Sequence, residues 1–186
     1  MGKHFAKYML RFVGLFCLMY YGTIAFIGLS SPGGYYIAVF DKYLDYVSWL
    51  RASLLHSAKF ALEITGHAVY LKNELTISLQ NGKGVHIGYD CIGYGVLFFW
   101  MAFVIANQLP IIKTIKWMSG GCFLIWMVNV VRVYLMVIAV NNHWEPLFSL
   151  DNHTWFNIAA YSIIFLLIYY FDTRESKRND YIENEN

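Results

Sequence analysis

The segment with the clearest chemical potential is Tyr89-Asp90-Cys91-Ile92-Gly93-Tyr94-Gly95. A strand-like pattern ends there, and a long apolar helix is predicted to begin. Helix N-termini combine unpaired backbone N–H groups with the positive end of the helix dipole, so a thiolate of Cys91 would be stabilised at this junction. The other cysteines, Cys17 and Cys122, lie inside apolar runs, where a small buried hydrophobe is the usual role. Cys91 is therefore the candidate nucleophile, and the adjacent Asp90 is a candidate supporting residue.

An arginine within an apolar segment is the second candidate. Arg132 lies in Val128–Tyr134, and an arginine at the centre of a membrane helix costs about 2.5–3.5 kcal/mol on insertion scales. Charges at such positions usually serve function. Asn129 lies one turn earlier on the same helix face, where its amide could hydrogen-bond the guanidinium or a substrate amide. The alternative is a structural ion pair between Arg132 and Asp90 or Glu63.

A histidine next to an apolar run completes the set. In Asp151-Asn152-His153-Thr154, Asp151 or Asn152 is a suitable N-cap, which places His153 on the first turn of the following helix. Asp151 is close enough in sequence to influence the basicity of the imidazole. His143, in the preceding loop, is the competing candidate. We favour His153 because a helix end positions a side chain better than the middle of a loop.

A cysteine, an arginine and a histidine together can perform acyl transfer. A thiol with a nearby base can attack an amide carbonyl, and a guanidinium can stabilise the resulting oxyanion. Three other histidines, His56, His67 and His86, have a spacing that matches no metal-ligand pattern. The sequence therefore predicts cysteine chemistry and no metal site.

The elements that position these residues are mostly membrane helices. Of the 186 residues, 58% are hydrophobic and only 14% are charged, compared with about 25% charged residues in soluble domains. The apolar residues form runs of membrane-spanning length. They predict an all-α integral membrane protein with about four transmembrane helices. The predicted spans are about 12–29, 93–109, 117–140 and 155–171.

Two segments between the first and second spans have other patterns. Polar residues recur three or four positions apart over about 35–68, which predicts an amphipathic helix that lies at the interface or packs against the bundle. Alternating residues on both sides of Asn81-Gly82 predict a β-hairpin over about 70–90. Lipid cannot satisfy the edges of a hairpin, so this one must lie outside the hydrocarbon layer.

Basic residues predict the orientation. They are concentrated in residues 1–11, in the loop 110–116 and after Asp172, and basic segments tend to remain cytoplasmic. Both termini are then cytoplasmic, and 173–186 is a polar cytoplasmic tail after a single membrane domain over 1–172. The hairpin, Cys91 and the loop 141–154 face outward, so Cys91, Arg132 and His153 are expected to converge on one extracytoplasmic site.

Three motifs in this order resemble the exosortase/archaeosortase family. They are Cys91-Ile92-Gly93 at the start of one span, Asn129-Val130-Val131-Arg132 within the next, and His153 at the start of the last. The resemblance covers roughly residues 70–171, and the short chain is similar to the compact members from Bacteroidetes. It implies a multi-pass enzyme of the bacterial cytoplasmic (inner) membrane that acts as a cysteine transpeptidase on its outer face.

The family resemblance also implies roles and partners. Cys91 would be the nucleophile, Arg132 the residue that polarises the carbonyl or binds the oxyanion, and His153 the general acid/base. The substrate would be an exported protein that ends in a short motif, a transmembrane helix and a basic cluster, and no cofactor would be required. The alternative from a different class is a non-catalytic membrane scaffold or chaperone of an export system, in which Cys91 only packs and Arg132 only docks helices.

Overall fold

The computed structural model describes residues 2–30, 45–142, 144 and 152–184. The chain divides into two compact units, Met1–Trp144 and Glu145–Asn186, and each is described by itself. The first unit contains helices α1 (Gly2–Ser30), α2 (Tyr46–Ile64), α3 (Tyr94–Ala106) and α4 (Ile111–Asn141), with a small sheet between α2 and α3. The second contains helix α5 (Asn152–Asn184). The prediction of a single domain over 1–172 stays a prediction.

Two helices in the described part of the chain are long and apolar enough to cross a membrane, Phe5–Leu29 within α1 and Ile111–Asn141, which is α4. Their large apolar side chains point outward, as in lipid-facing helices. For example, Leu10 is 77% exposed, Leu18 is 72% exposed and Phe123 is 62% exposed. The core helix of a soluble domain would bury that face.

The predicted span 93–109 is shorter in the structure. Helix α3 has 13 residues, about 20 Å at 1.5 Å per residue, whereas the hydrocarbon core is about 30 Å thick. It ends at Ala106, and the φ of 52° at Gln108 lies outside the right-handed helical region. Pro110 in turn disfavours helical backbone at Leu109. The fourth predicted span, 155–171, lies within α5, and that helix continues to Asn184 through the segment predicted as a polar tail.

Helices α1 and α3 pack in opposite directions through aromatic side chains, at an interface that we call the α1–α3 seam. The rings of Phe12 and Phe99 lie 5.1 Å apart, and those of Tyr20 and Tyr94 lie 5.7 Å apart. Helix α3 then packs on α4, where the indole N–H of Trp100 donates a hydrogen bond to the carbonyl of Trp117 at 3.1 Å.

Helix α2 packs along α4 in the same chain direction. Its N-cap Asp45 accepts a hydrogen bond from the backbone N–H of Ser48 at 3.0 Å. The Trp126 indole donates to Ser53 at 3.1 Å, and further along both helices Tyr134 contacts Thr65 at 3.4 Å. The predicted amphipathic helix over 35–68 is thus helical over Tyr46–Ile64 and packs against the bundle, while residues 31–44 lie outside the described residues.

Apolar residues fill the interface of these two helices, which we call the α2–α4 seam. It contains Leu54, Leu55, Ala58 and Leu62 of α2 and Val130, Val133 and Val137 of α4. The buried stripe of α2 starts with Val47 and Arg51 and continues into this set at the spacing of one helix face. On α4, Asn129 and Arg132 belong to the buried set as well.

The predicted hairpin is part of a three-stranded antiparallel sheet in the order β1-β2-β3. Strands β2 (Thr76–Leu79) and β3 (Gly84–His86) pair around the predicted Asn81-Gly82 turn. Strand β1 (Val69–Asn73), which was not predicted, pairs with β2 and has an irregular register between Leu71 and Asn73. Ile77, Val85 and Ile87 are buried in the same core cluster as Leu55 and Val133, so the sheet covers one end of the α2–α4 seam.

Candidate active site

Cys91 lies in a short 3₁₀-helix, Tyr89–Cys91, between the sheet and α3. Its backbone N–H donates to the carbonyl of Gly88 at 3.0 Å. Gly93 follows in the left-handed conformation with a φ of 78°, and α3 begins only at Tyr94. Cys91 thus lies at the predicted junction, two residues before the predicted start of the span at about 93. The cysteine is in the turn before the helix, and Gly93 makes the sharp change of direction between them.

Asn129 holds this turn in place. Its side-chain N–H donates to the carbonyl of Ile92 at 2.7 Å, in a buried position. A Cβ at residue 93 would collide with the Asn129 amide, so Gly93 is required by both its φ and its neighbour. The sequence predicted that Asn129 would bind the guanidinium or a substrate amide. The structure shows this amide supporting the backbone next to Cys91, and its binding to the guanidinium or to a substrate amide stays a prediction.

Arg132 lies three residues beyond Asn129 on α4, and only 7% of it is exposed. Its Nε and Nη2 atoms are buried, and neither has a hydrogen-bond partner within the described chain. These two nitrogens form one edge of the guanidinium plane, the edge that can hold a carboxylate or an oxyanion through two parallel N–H bonds. Burying these donors unpaired costs free energy, so this edge calls for a functional explanation.

The ion pair with Glu63 that was the alternative for Arg132 is not formed. Glu63 pairs with Lys59 on its own helix at 3.6 Å, and both side chains are substantially exposed. Asp90 lies within the 3₁₀-helix, but its side chain is outside the described residues.

The Cys91 side chain is half-buried. It packs against the cluster that contains Leu55 of α2 and Val133 of α4. The structure thus brings the Cys91 turn, Asn129 and the helical turn that carries Arg132 together at the α2–α4 seam.

The histidine is placed only by its backbone. His153 is the second residue of α5, in the second compact unit, and its side chain is outside the described residues. Asp151 and the competing His143 are also outside them. In the first unit, His67 and His86 have local partners, because His67 contacts Thr65 at 3.1 Å and His86 contacts Thr76 at 3.5 Å.

A second buried arginine was not predicted as a site residue. Arg51 of α2 is 7% exposed, and its Nε and Nη2 atoms are also buried without a hydrogen-bond partner in the described ranges. Its guanidinium carbon lies 4.7 Å from the centre of the Tyr89 ring, two residues from Cys91. The sequence did contain a signal, since Arg51 occupies a position on the apolar stripe between Val47 and Leu54.

One protein-family model matches most of the chain. Residues 6–170 match the family model described as Transmembrane exosortase (Exosortase_EpsH). The chain belongs to the transmembrane exosortase family. The matched range includes Cys91, Asn129, Arg132 and His153. No curated protein and no solved structure matches the chain. Family membership and the two long apolar helices together make this exosortase a membrane protein.

Proposed function

We propose that this exosortase is a cysteine transpeptidase or peptidase that cleaves the C-terminal sorting signals of exported proteins through a thioester. The observation that carries the proposal is the buried edge of Arg132, which has no hydrogen-bond partner among the described residues and lies one helical turn from the Asn129 that holds the Cys91 turn. A nucleophile next to a preorganised donor for developing negative charge is the arrangement that acyl transfer requires.

The proposed reaction begins at a peptide bond near the substrate's membrane anchor. His153, the general acid/base proposed from the sequence motif, takes the proton of the Cys91 thiol, and the sulfur bonds to the carbonyl carbon. Arg132 donates hydrogen bonds to the negative oxygen that forms. The intermediate collapses as the C–N bond breaks, the leaving amine takes the proton from His153, and the acyl group remains on Cys91 as a thioester. Water or an acceptor amine then releases it.

The membrane arrangement is part of the proposal. We propose four spans, namely the two long helices and the segments near 93–109 and 155–171, with both termini in the cytoplasm. The reaction then takes place on the extracytoplasmic face of the inner membrane. The proposed partner is an exported protein with a short motif, a transmembrane helix and a basic cluster at its C-terminus.

A single variant tests this function. The full chain is expressed with an exported protein from the same genome that carries such a C-terminal tail, and the mass of that protein is followed. Cys91→Ala should leave the exosortase inserted in the membrane and abolish processing, whereas Cys122→Ala, a matched change within a helix, should leave processing intact. Normal processing by the Cys91→Ala variant would contradict a catalytic role and favour the scaffold alternative.

A further inference from the structure

Arg51 of α2 contacts the turn that carries Cys91. Its guanidinium carbon lies 4.7 Å from the centre of the Tyr89 ring, a distance at which the face of an aromatic ring attracts a cation. Tyr89 and Cys91 belong to the same three-residue 3₁₀-helix. The contact therefore connects a buried cation of α2 with the segment that holds the proposed nucleophile.

A 3₁₀-helix of this length needs support from outside. The backbone N–H of Cys91 donates to the carbonyl three residues earlier at 3.0 Å, and that of Ile92 donates in the same way at 3.3 Å. Such bonds have poorer geometry than those of an α-helix. Asn129 of α4 supports the turn at Ile92, and Arg51 of α2 supports it at Tyr89. Cys91 lies between these two supported residues.

Arg51 does not improve the packing of α2. It lies on the buried stripe between Val47 and Leu54. It is 7% exposed, and its Nε and Nη2 atoms have no hydrogen-bond partner in the part of the chain that the structure describes. An apolar side chain of similar length would fill this place without the cost of burying a charge. An arginine here therefore needs another reason, and the Tyr89 ring supplies one, because a cation–π contact is strongest away from water.

We propose that Arg51 is a positioning residue for acyl transfer: its guanidinium holds the Tyr89 ring and thereby fixes the turn that carries Cys91. This proposal rests on the proposed function, which supplies the reaction. Arg51 acts through Tyr89 and need not touch the substrate, whereas Arg132 is the residue that acts on the reacting carbonyl. Two helices that pack along each other, α2 and α4, then each hold one end of the Cys91 turn.

The direct test is hydrogen–deuterium exchange in the full chain, reconstituted in phosphatidylcholine nanodiscs. Mass spectrometry follows the segment 88–93, in which the N–H groups of Cys91 and Ile92 report opening of the turn. Arg51→Met and Tyr89→Leu should each raise the exchange rate of these groups roughly fivefold to thirtyfold, the factor that corresponds to loss of a partly desolvated cation–π contact. Exchange within α4 should stay at the wild-type rate.

Two backgrounds show whether Arg51 acts through the ring. In the Tyr89→Phe background, which keeps an aromatic face, Arg51→Met should have its full effect on exchange, whereas in the Tyr89→Leu background it should have none. Arg51→Lys should keep part of the protection, because it retains the positive charge without the planar group. Tyr89 is 40% exposed, so Tyr89→Leu tests the contact even if Arg51→Met fails to fold.

Processing of the tail-bearing exported protein separates positioning from binding and from folding. In Arg51→Met, kcat should fall roughly tenfold, within the loss of up to about 10²-fold that a misplacement of about 1 Å causes, and KM should stay within about twofold of the wild type. The melting temperature should equal or exceed that of the wild type. Ser53→Ala is the matched control on α2. It removes the hydrogen bond from Trp126, so it should lower the melting temperature and leave kcat and exchange of the turn unchanged.

Three results would overturn the proposal. They are unchanged exchange of the turn in both Arg51→Met and Tyr89→Leu, a full effect of Arg51→Met in the Tyr89→Leu background, and an equal rise in exchange throughout α2 and α4. The last would make Arg51 a structural residue of the α2–α4 seam. Because exchange is measured without substrate, a failure here is distinguishable from a failure of the proposed function, in which Cys91→Ala still processes the exported protein although the Arg51 contact fixes the turn.

Discussion

The α1–α3 seam and the α2–α4 seam contain different kinds of buried side chain. Aromatic rings fill the first, including Phe12 against Phe99, and the described residues place no buried charge in it. The second has an apolar centre but is flanked by the buried polar residues Arg51, Asn129 and Arg132. The aromatic packing stabilises its seam through buried area and ring contacts, whereas unpaired buried guanidinium groups cost stability.

This difference separates the residues that hold the bundle together from those that we expect to perform chemistry. A buried donor edge that destabilises the fold is retained only if something else depends on it, such as charge that develops during a reaction. Substitutions of the buried polar residues at the α2–α4 seam should therefore lower activity more than stability. Substitutions in the α1–α3 seam should lower stability more than activity.

The largest effect is expected at Arg132. Replacing it with Met removes the buried charge and fills the space with apolar atoms, so the melting temperature should equal or exceed that of the wild type. Processing of the substrate should fall about 10²- to 10³-fold, because that is the usual cost of losing one oxyanion donor. The two quantities are measured on the same purified protein. A variant that melts well below the wild type would contradict the assignment, because Arg132 would then be structural.

An intermediate effect is expected at the Cys91 turn. Gly93→Ala forces a non-glycine residue to adopt a φ of 78° and pushes its Cβ into the Asn129 amide, so we expect a loss of about 1–3 kcal/mol in stability and roughly tenfold in activity. Adding Asn129→Ala removes the clash but also the hydrogen bond to Ile92.

A double-mutant cycle of Gly93→Ala and Asn129→Ala tests whether these two residues interact. The double variant should be more stable than the sum of the two single effects predicts, with a coupling between the two sites on the order of 1 kcal/mol. Strictly additive losses in the thermal unfolding of the four proteins would mean that Asn129 and Gly93 do not act on each other.

The smallest effect on activity is expected away from the α2–α4 seam. A Cβ at Gly121 of α4 would meet the indole of Trp100, so Gly121→Ala should lower the melting temperature. Overpacking of this kind typically costs about 1–3 kcal/mol. Activity per folded molecule should stay within about twofold of the wild type, since the Trp100 contact involves neither Arg132 nor the Cys91 turn. A specific activity as low as that of the Gly93→Ala variant would mean that helix packing outside the α2–α4 seam affects the site as strongly as the Cys91 turn does.

Much of this organisation could be predicted from local sequence. Asn81-Gly82 between alternating residues specified the β2–β3 hairpin, because its turn chemistry is local. The long apolar runs of α1 and α4 gave the two clear spans. Strand β1 could not be predicted in this way. It is short and has an irregular register, and its pairing depends on the neighbouring strand more than on its own residues.

The candidate site was predictable in its residue types but not in its contacts. Cys91 and Arg132 are conspicuous because a thiol at an element boundary and a charge inside an apolar run are unusual. The partner of Asn129 is a carbonyl 37 positions away in sequence, so spacing along α4 alone could not identify it. Arg51 was missed because it was grouped with the other polar residues of the predicted amphipathic helix, whereas its position on the buried stripe depends on packing against α4.

The central claim is that Cys91 carries the acyl group of the substrate during the reaction. The most direct test is to mix the wild-type exosortase with its tail-bearing substrate in membranes, quench the mixture with acid, and examine the Cys91 peptide by mass spectrometry. We predict a substrate adduct on Cys91 that hydroxylamine releases, as expected for a thioester, and that accumulates when no acceptor amine is added. Cleaved substrate without any adduct on Cys91, or with an adduct on Cys17 or Cys122 instead, would contradict the account.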